Sequence, residues 1–209
     1  MDTTKERILA AAERLFAGRG LEGVTTREIC REAGVNGALV NYHFGTKEKL
    51  YGACLRRMFE MGGGEALASI DRTVTNARSW RIAVRAWVES MSETMHDAKG
   101  RTAFTVGVFR HEIFRPSSMS AHIIEHYGRP VFDSLCRLLR MATQSEEEVH
   151  LWATSIWAQL SACALVDPVW QEPFRPAGIS REKWAVAFTE FVCGRIFREL
   201  KFKAIPAKA

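Results

Sequence analysis

The segment from Thr25 to Leu50, TTREICREAGVNGALVNYHFGTKEKL, constrains the chain more than any other stretch, because it contains three helix starts in quick succession. Thr25-Thr26-Arg27-Glu28 has the Ser/Thr-x-x-Glu spacing of a capping box and predicts a helix beginning at about residue 26. Ile29, Cys30 and Ala33 give that helix one small apolar face, and Gly34 ends it by tolerating a left-handed backbone. Asn36 is placed to cap a second helix running through Leu39, Val40, Tyr42 and His43 to Phe44. Gly45-Thr46 then opens a third, amphipathic one carrying Leu50, Tyr51, Cys54, Leu55, Met58 and Phe59. Two short helices around a Gly-containing turn are the helix-turn-helix unit, in which the second helix enters the DNA major groove.

So small a unit cannot bury a core by itself, and the flanking sequence supplies the cover. A first helix opens on Thr3-x-x-Glu6 and carries Ile8, Leu9, Ala12, Leu15 and Phe16 on one stripe, with Gly18 and Gly20 stopping it. The helix from Thr46 reaches Gly62-Gly63-Gly64, where each glycine costs about 1 kcal/mol of helix stability relative to Ala. That run predicts a boundary and a hinge. Beyond it, helical periodicity predicts elements at roughly 65–76, 80–97, 101–114, 118–142, 146–166 and 181–202, with a long loop from Asp167 to Ser180. No strand-like alternation appears, so the predicted fold is all-α. It comprises a three-helix DNA-binding domain over 3–63 and a helical ligand-binding and dimerisation domain over 64–209.

The landmarks Phe16-x-x-x-Gly20, Thr25-x-x-x-Ile29, Ala33-Gly34-Val35-Asn36, Tyr42-His43-Phe44 and Lys47-Glu48-Lys49-Leu50 together resemble the signature of the TetR family of bacterial repressors. The resemblance covers about residues 3–60. A looser one, through His111-Glu112, Arg115-Pro116-Ser117 and Pro130, is to TetR proteins of the CecR (YbiH) type. The family resemblance implies a homodimeric repressor that binds a double-stranded operator and is released by a small molecule. It implies phosphate contacts from Tyr42, His43 and Lys47. Thr25 or Thr26 can add another, because free amides at a helix N-terminus favour anions. Arg27, Asn36, Gly37, Ala38 and Asn41 form the groove-facing set. Gly37 stands where the family often has a longer or basic residue, and Asn41 where an aromatic is usual. Asn bonds adenine bidentately, which makes Asn41 the base reader of choice.

In the remainder, Trp87, Met91, Phe104, Val108 and Tyr127 read as core or as the apolar lining of a ligand site, with His111, Glu112 and Arg115 as its polar groups. The helix over 146–166 is apolar on nearly every side, through Trp152, Ile156, Trp157 and Leu160, and so demands cover on two faces. With Trp184, Phe188 and Phe191 of the last helix it predicts a two-fold four-helix interface between copies. A metal-responsive alternative rests on His122-x-x-Glu125-His126, which matches a zinc-peptidase pattern but lacks a clear third ligand; a solvated or pocket-rim helix face is the preferred reading, and no metal or other cofactor is expected. A helical protein of structural role is the remaining alternative, and it leaves the helix-turn-helix unexplained.

Composition narrows the classes further. The net charge of +5 is compatible with a polyanionic partner, yet residues 1–61 hold 10 basic and 8 acidic side chains, so any basic surface must arise from folding. Five cysteines, Cys30, Cys54, Cys136, Cys163 and Cys193, are odd in number and lack metal-type spacing, as buried thiols of a cytoplasmic protein would be. No signal-peptide pattern opens the chain, and its most apolar run, Leu151 to Val166, is too short and polar for a membrane span. Gly-x-Ser-x-Gly, phosphate-loop and dinucleotide fingerprints are all missing from the sequence, which argues against an enzyme.

Overall fold

The computed structural model describes residues 3–96, 102–165 and 176–203. The chain opens with α1 (Thr3–Arg19), α2 (Thr26–Ala33), α3 (Gly37–Phe44), α4 (Lys47–Met61) and α5 (Gly64–Ala68). A 3-10 turn (Ile70–Thr73) leads into α6 (Ala77–His96), α7 (Thr102–Phe114) and α8 (Ser120–Ile123). A π turn (Ile124–Gly128) precedes α9 (Arg129–Arg140), α10 (Glu146–Leu165) and α11 (Arg181–Glu199). Among the described residues there is no strand. The cap predicted at Thr3 and most of the loop after Asp167 lie outside the described side chains.

Two predicted helices are not continuous α-helix. The one over 65–76 stops at Ser69, whose hydroxyl donates back to Glu65 O at 2.9 Å, and the chain tightens to the 3-10 turn. Asn76 then starts α6 earlier than the sequence suggests, its side-chain oxygen accepting from the amides of Arg78 and Ser79. The helix over 118–142 runs as α8, the π turn and α9 without leaving helical torsions. Pro130 has no N–H to give the preceding turn, and the π turn just before it absorbs the change of register.

By packing, the chain forms two units, residues 1–63 with 98–124 and residues 64–97 with 125–209. In the first, Ile8, Leu9, Ala12 and Phe16 of α1 are buried with Ile29 of α2, Val40 of α3 and Leu50, Tyr51 and Leu55 of α4. The rings of Phe16 and Tyr51 meet edge to face at 4.9 Å. Arg7 donates to the carbonyls of Ala33, at 2.5 Å, and Gly34, at 2.9 Å, so α1 closes the end of α2. Arg57 reaches back from α4 to Glu6 at 2.7 Å.

The boundary expected at residue 64 does not account for α7. That helix packs on α1 because Gly107 has no side chain: a Cβ there would lie 2.3 Å from Ala17 O.

In the second unit α6 and α9 run antiparallel, and two tryptophans fix their register. Trp80 donates its indole N–H to Leu138 O at 2.8 Å, and Trp87 donates to Val131 O at 3.3 Å and Ser134 Oγ at 3.0 Å. Both rings are buried. Arg137 grips Asp71 through two bonds, at 2.9 and 3.0 Å, and holds the 3-10 turn on α9.

α10 packs on α6 and α9, and α11 on α6. Ile156 and Leu160, expected at an interface between copies, are instead buried in this unit's own core, as are Val149 and Ala153. The outward stripe of α10 is Leu151, Thr154, Ser155, Ala158 and Gln159, and α11 adds exposed Val186 and Phe191. Trp152, Trp157, Trp184 and Phe188 are half-buried. Helical spacing correctly placed the apolar residues on α10, but only the packing of α6 and α9 decides which side they cover.

Candidate nucleic-acid interface

Each of the three helices in the opening segment begins on a side-chain cap. Thr25 Oγ accepts from the amide of Glu28, whose carboxylate accepts from the Thr25 amide at 2.8 Å, a complete capping box. Asn36 Oδ1 accepts from Leu39 N at 3.0 Å and Thr46 Oγ from Lys49 N at 3.2 Å. Gly34 takes φ 62° between α2 and α3, a left-handed turn that a side chain would strain. These caps set the two axes of the helix-turn-helix, and every one was legible in the sequence.

The same bonds decide which polar groups remain available. Thr25 donates its only hydroxyl proton to Glu28 Oε2 at 2.7 Å, so it has none for a phosphate. Glu28 also receives Arg19 at 2.7 Å; that bond, with the Thr25 bonds, holds its carboxyl down to about 2. An anion approaching this end of α2 therefore has Arg27, which is exposed, and the first-turn amides to meet it. Thr26 is half-buried. Asn36 commits its carbonyl oxygen to the cap, which removes half of any bidentate pairing with adenine. Asn41 is exposed, and none of the hydrogen bonds described here involves its side chain.

On α3, Val40 is buried and Phe44 and His43 half-buried, which turns the opposite side outward. That side presents Ala38, Asn41 and Tyr42, the last 83% exposed, with Gly37 and Leu39 at its flanks. A Cβ on Gly37 would meet nothing within 4 Å, so the start of α3 is open. Lys47 donates to Leu21 O at 2.9 Å and lies 3.8 Å from Glu22, which pins its ammonium to the turn before α2. Two of its three protons remain for other partners. The tie between Lys47 and the 20–24 turn was not visible in the sequence, since it depends on how α4 crosses α1.

The eight side chains expected at a ligand site divide between the units. Phe104 and Val108 are buried in the first, where Phe104 lies edge-on to Tyr51 at 6.3 Å. Glu112 accepts from Tyr51 Oη at 3.1 Å, Ser117 N at 3.1 Å and Ser120 Oγ at 2.6 Å. The His111 ring lies over Gly20, and Arg115 is exposed at the end of α7. In the second unit Trp87 and Met91 are buried and Tyr127 is half-buried in the π turn. One cavity of about 250 Å³ opens between α10 and α11, among Trp152, Gln159, Phe191 and Arg195, and none of the eight lines it. Among the described residues no group of three or more His, Cys, Asp or Glu could hold a metal ion, and no helix is long and apolar enough to cross a membrane.

These capped, crossed helices on a covering α1 define a helix-turn-helix domain. Residues 8–54 match the family described as bacterial regulatory proteins, tetR family. The chain is 38% identical over 71 residues to the HTH-type transcriptional regulator BetI of Brucella anthropi, a match covering 34% of this chain and 37% of that protein. It is 45% identical over 53 residues to the HTH-type transcriptional dual regulator CecR of Shigella flexneri, covering 25% of this chain and 23% of that one. The chain thus spans well under half the length of these curated relatives. A transcriptional regulator from Saccharomonospora viridis, solved in complex with choline, shares the fold at TM-score 0.67 and 18% identity, over 97% of this chain and 100% of that one. The helix-turn-helix domain over residues 8–54 is thus of the tetR family of bacterial regulatory proteins.

Proposed function

We propose that the protein is a ligand-responsive transcriptional repressor that binds a two-fold DNA operator as a homodimer in the cytoplasm. The observation that carries this is the outward face of α3: an uncapped base reader, Asn41, stands beside small residues on a short helix held at both ends by its neighbours. Tyr42, His43 and Lys47 flank that face as phosphate contacts, with Arg27 and the first-turn amides of α2. A dimer gives half-sites whose centres lie about one helical turn, or a multiple, apart. The stripe Leu151, Ala158, Val186 and Phe191 is the surface that a second copy would cover.

A small, largely apolar molecule is the proposed signal. Within the second unit, Trp87 and Met91 of α6 and Tyr127 of the π turn support this reading. The choline bound by the Saccharomonospora viridis protein supports a small-molecule ligand in general. A ligand acts only through its different affinity for the two states of its receptor. A tenfold loss of operator affinity needs about 1.4 kcal/mol of coupling, and operator must weaken the ligand equally.

Fluorescence anisotropy with the DNA upstream of its own coding sequence tests the DNA reading. Lys47→Ala should weaken binding to every duplex alike and lower the salt dependence by about one phosphate contact. Asn41→Ala should relax preference at one base pair by about 1–3 kcal/mol. Equal losses on operator and random DNA would remove Asn41 as a base reader, and no binding to any duplex would end the repressor proposal.

A further inference from the structure

We infer that α3 reads A·T pairs in each half-site, with Leu39 packing on a thymine methyl and Asn41 taking an adenine. This rests on the DNA-binding reading and adds the chemistry of the bases recognised.

The argument begins with what α3 lacks. Its eight residues, GALVNYHF, include no Arg, Lys, Asp or Glu. Guanine is most often read by the paired donors of Arg or Lys on O6 and N7, and cytosine N4 by a carboxylate. Neither group is available on this helix. His43 is half-buried, on the same side of α3 as Val40 and Phe44, and Asn36 has committed its carbonyl oxygen to the Leu39 amide. What remains outward is one amide side chain, Asn41, and apolar surface from Ala38, Leu39 and Tyr42.

Leu39 is the informative member of that set. It is 37% exposed on a helix whose inward residue, Val40, is buried. It stands two residues from Asn41, on the other side of the outward direction marked by Ala38 and Tyr42. The small Gly37 and Ala38 leave the start of α3 free to approach a groove floor closely. In the major groove the one apolar feature a base pair offers is the thymine C5-methyl. A leucine and an adenine-reading asparagine on the two flanks of one outward face therefore both select A·T pairs, and guanine contacts fall to Arg27 on α2.

Selection of the full-length protein on a randomised duplex pool tests this, followed by anisotropy on the enriched site with each thymine replaced in turn by deoxyuridine. The expected motif has one A·T pair at the position whose preference Asn41→Ala relaxes and a second within the same half-site. One thymine-to-uracil change, at that second position, should weaken binding about three- to fivefold, the contribution of one buried methyl. Leu39→Ala, with its fold checked by circular dichroism, should bind the thymine and uracil duplexes alike. A thymine preference that survives Leu39→Ala, or G·C pairs at these positions, would overturn the inference while leaving DNA binding intact. Enrichment of no sequence at all would overturn both together.

Discussion

Tyr51 of α4 donates its phenolic hydrogen to Glu112 of α7 across 3.1 Å, joining the helix that follows α3 to one far along the chain. The same carboxylate holds the start of α8 through Ser117 and Ser120, so one acidic group organises three elements of the first unit. Burial, and then the neighbouring Glu112 charge, pushes the Tyr51 phenol well above its ordinary range.

Tyr51→Phe keeps the ring against Phe16 and removes only this bond. The variant should lose about 1–2 kcal/mol of unfolding free energy, read by urea titration. A raised tyrosine pKa contributes stability that is fully present below about pH 10 and is lost as pH rises further. The difference between wild type and variant should therefore shrink in alkaline buffer. A difference that stays constant between pH 8 and 11 would mean that the folded protein does not hold the Tyr51 phenol above its ordinary range.

Gly107 and Gly18 should respond to alanine with opposite sign. A Cβ at Gly107 would overlap the Ala17 carbonyl, and α7 must shift away from α1 to admit it. Gly107→Ala should cost about 1–3 kcal/mol and disturb the Tyr51–Glu112 bond. Gly18 lies exposed within α1 with nothing within 4 Å of a Cβ, so Gly18→Ala should stabilise by about 0.5–1 kcal/mol. Thermal melts of the two variants side by side decide the matter; a neutral Gly107→Ala would refute the close approach.

Glu in place of both Leu151 and Phe191, which are 65% and 61% exposed, should yield a folded monomer by sedimentation velocity. Ile156→Ala or Leu160→Ala should instead leave the oligomeric state unchanged at low temperature and cost about 2–5 kcal/mol of protomer stability. Dimers that persist in the double-Glu protein would place the interface elsewhere.

Cys193 is buried, and its thiol is pushed up to about 11 by that burial, so at neutral pH it is neither charged nor accessible. Iodoacetamide at pH 8, followed by peptide mass spectrometry, should leave Cys193 and the equally buried Cys54 unmodified until the protein unfolds. The sign again favours acid: the stability tied to this thiol is complete below about pH 9 and is lost as pH rises through about 11. Rapid labelling of native Cys193 would show that α11 opens readily.

The sequence alone determined every local feature of the helix-turn-helix. Thr25, Asn36 and Thr46 each act on the amide three residues on, and Gly34 on its own backbone torsions, so spacing suffices to read them. Long-range packing decided the rest. Gly107 stands within a helical stretch, and only its meeting with Ala17, ninety positions earlier, assigns α7 to the first unit. Ile156 and Leu160 carried a correct apolar period, but whether a stripe faces its own chain or a partner depends on where α6 and α9 lie. Asn36 and Thr25 kept their residue types and lost their freedom, because each hydrogen atom or lone pair given to a cap is unavailable for DNA. A sequence displays which groups a residue owns; which of them are already engaged is fixed only when the helices close on one another.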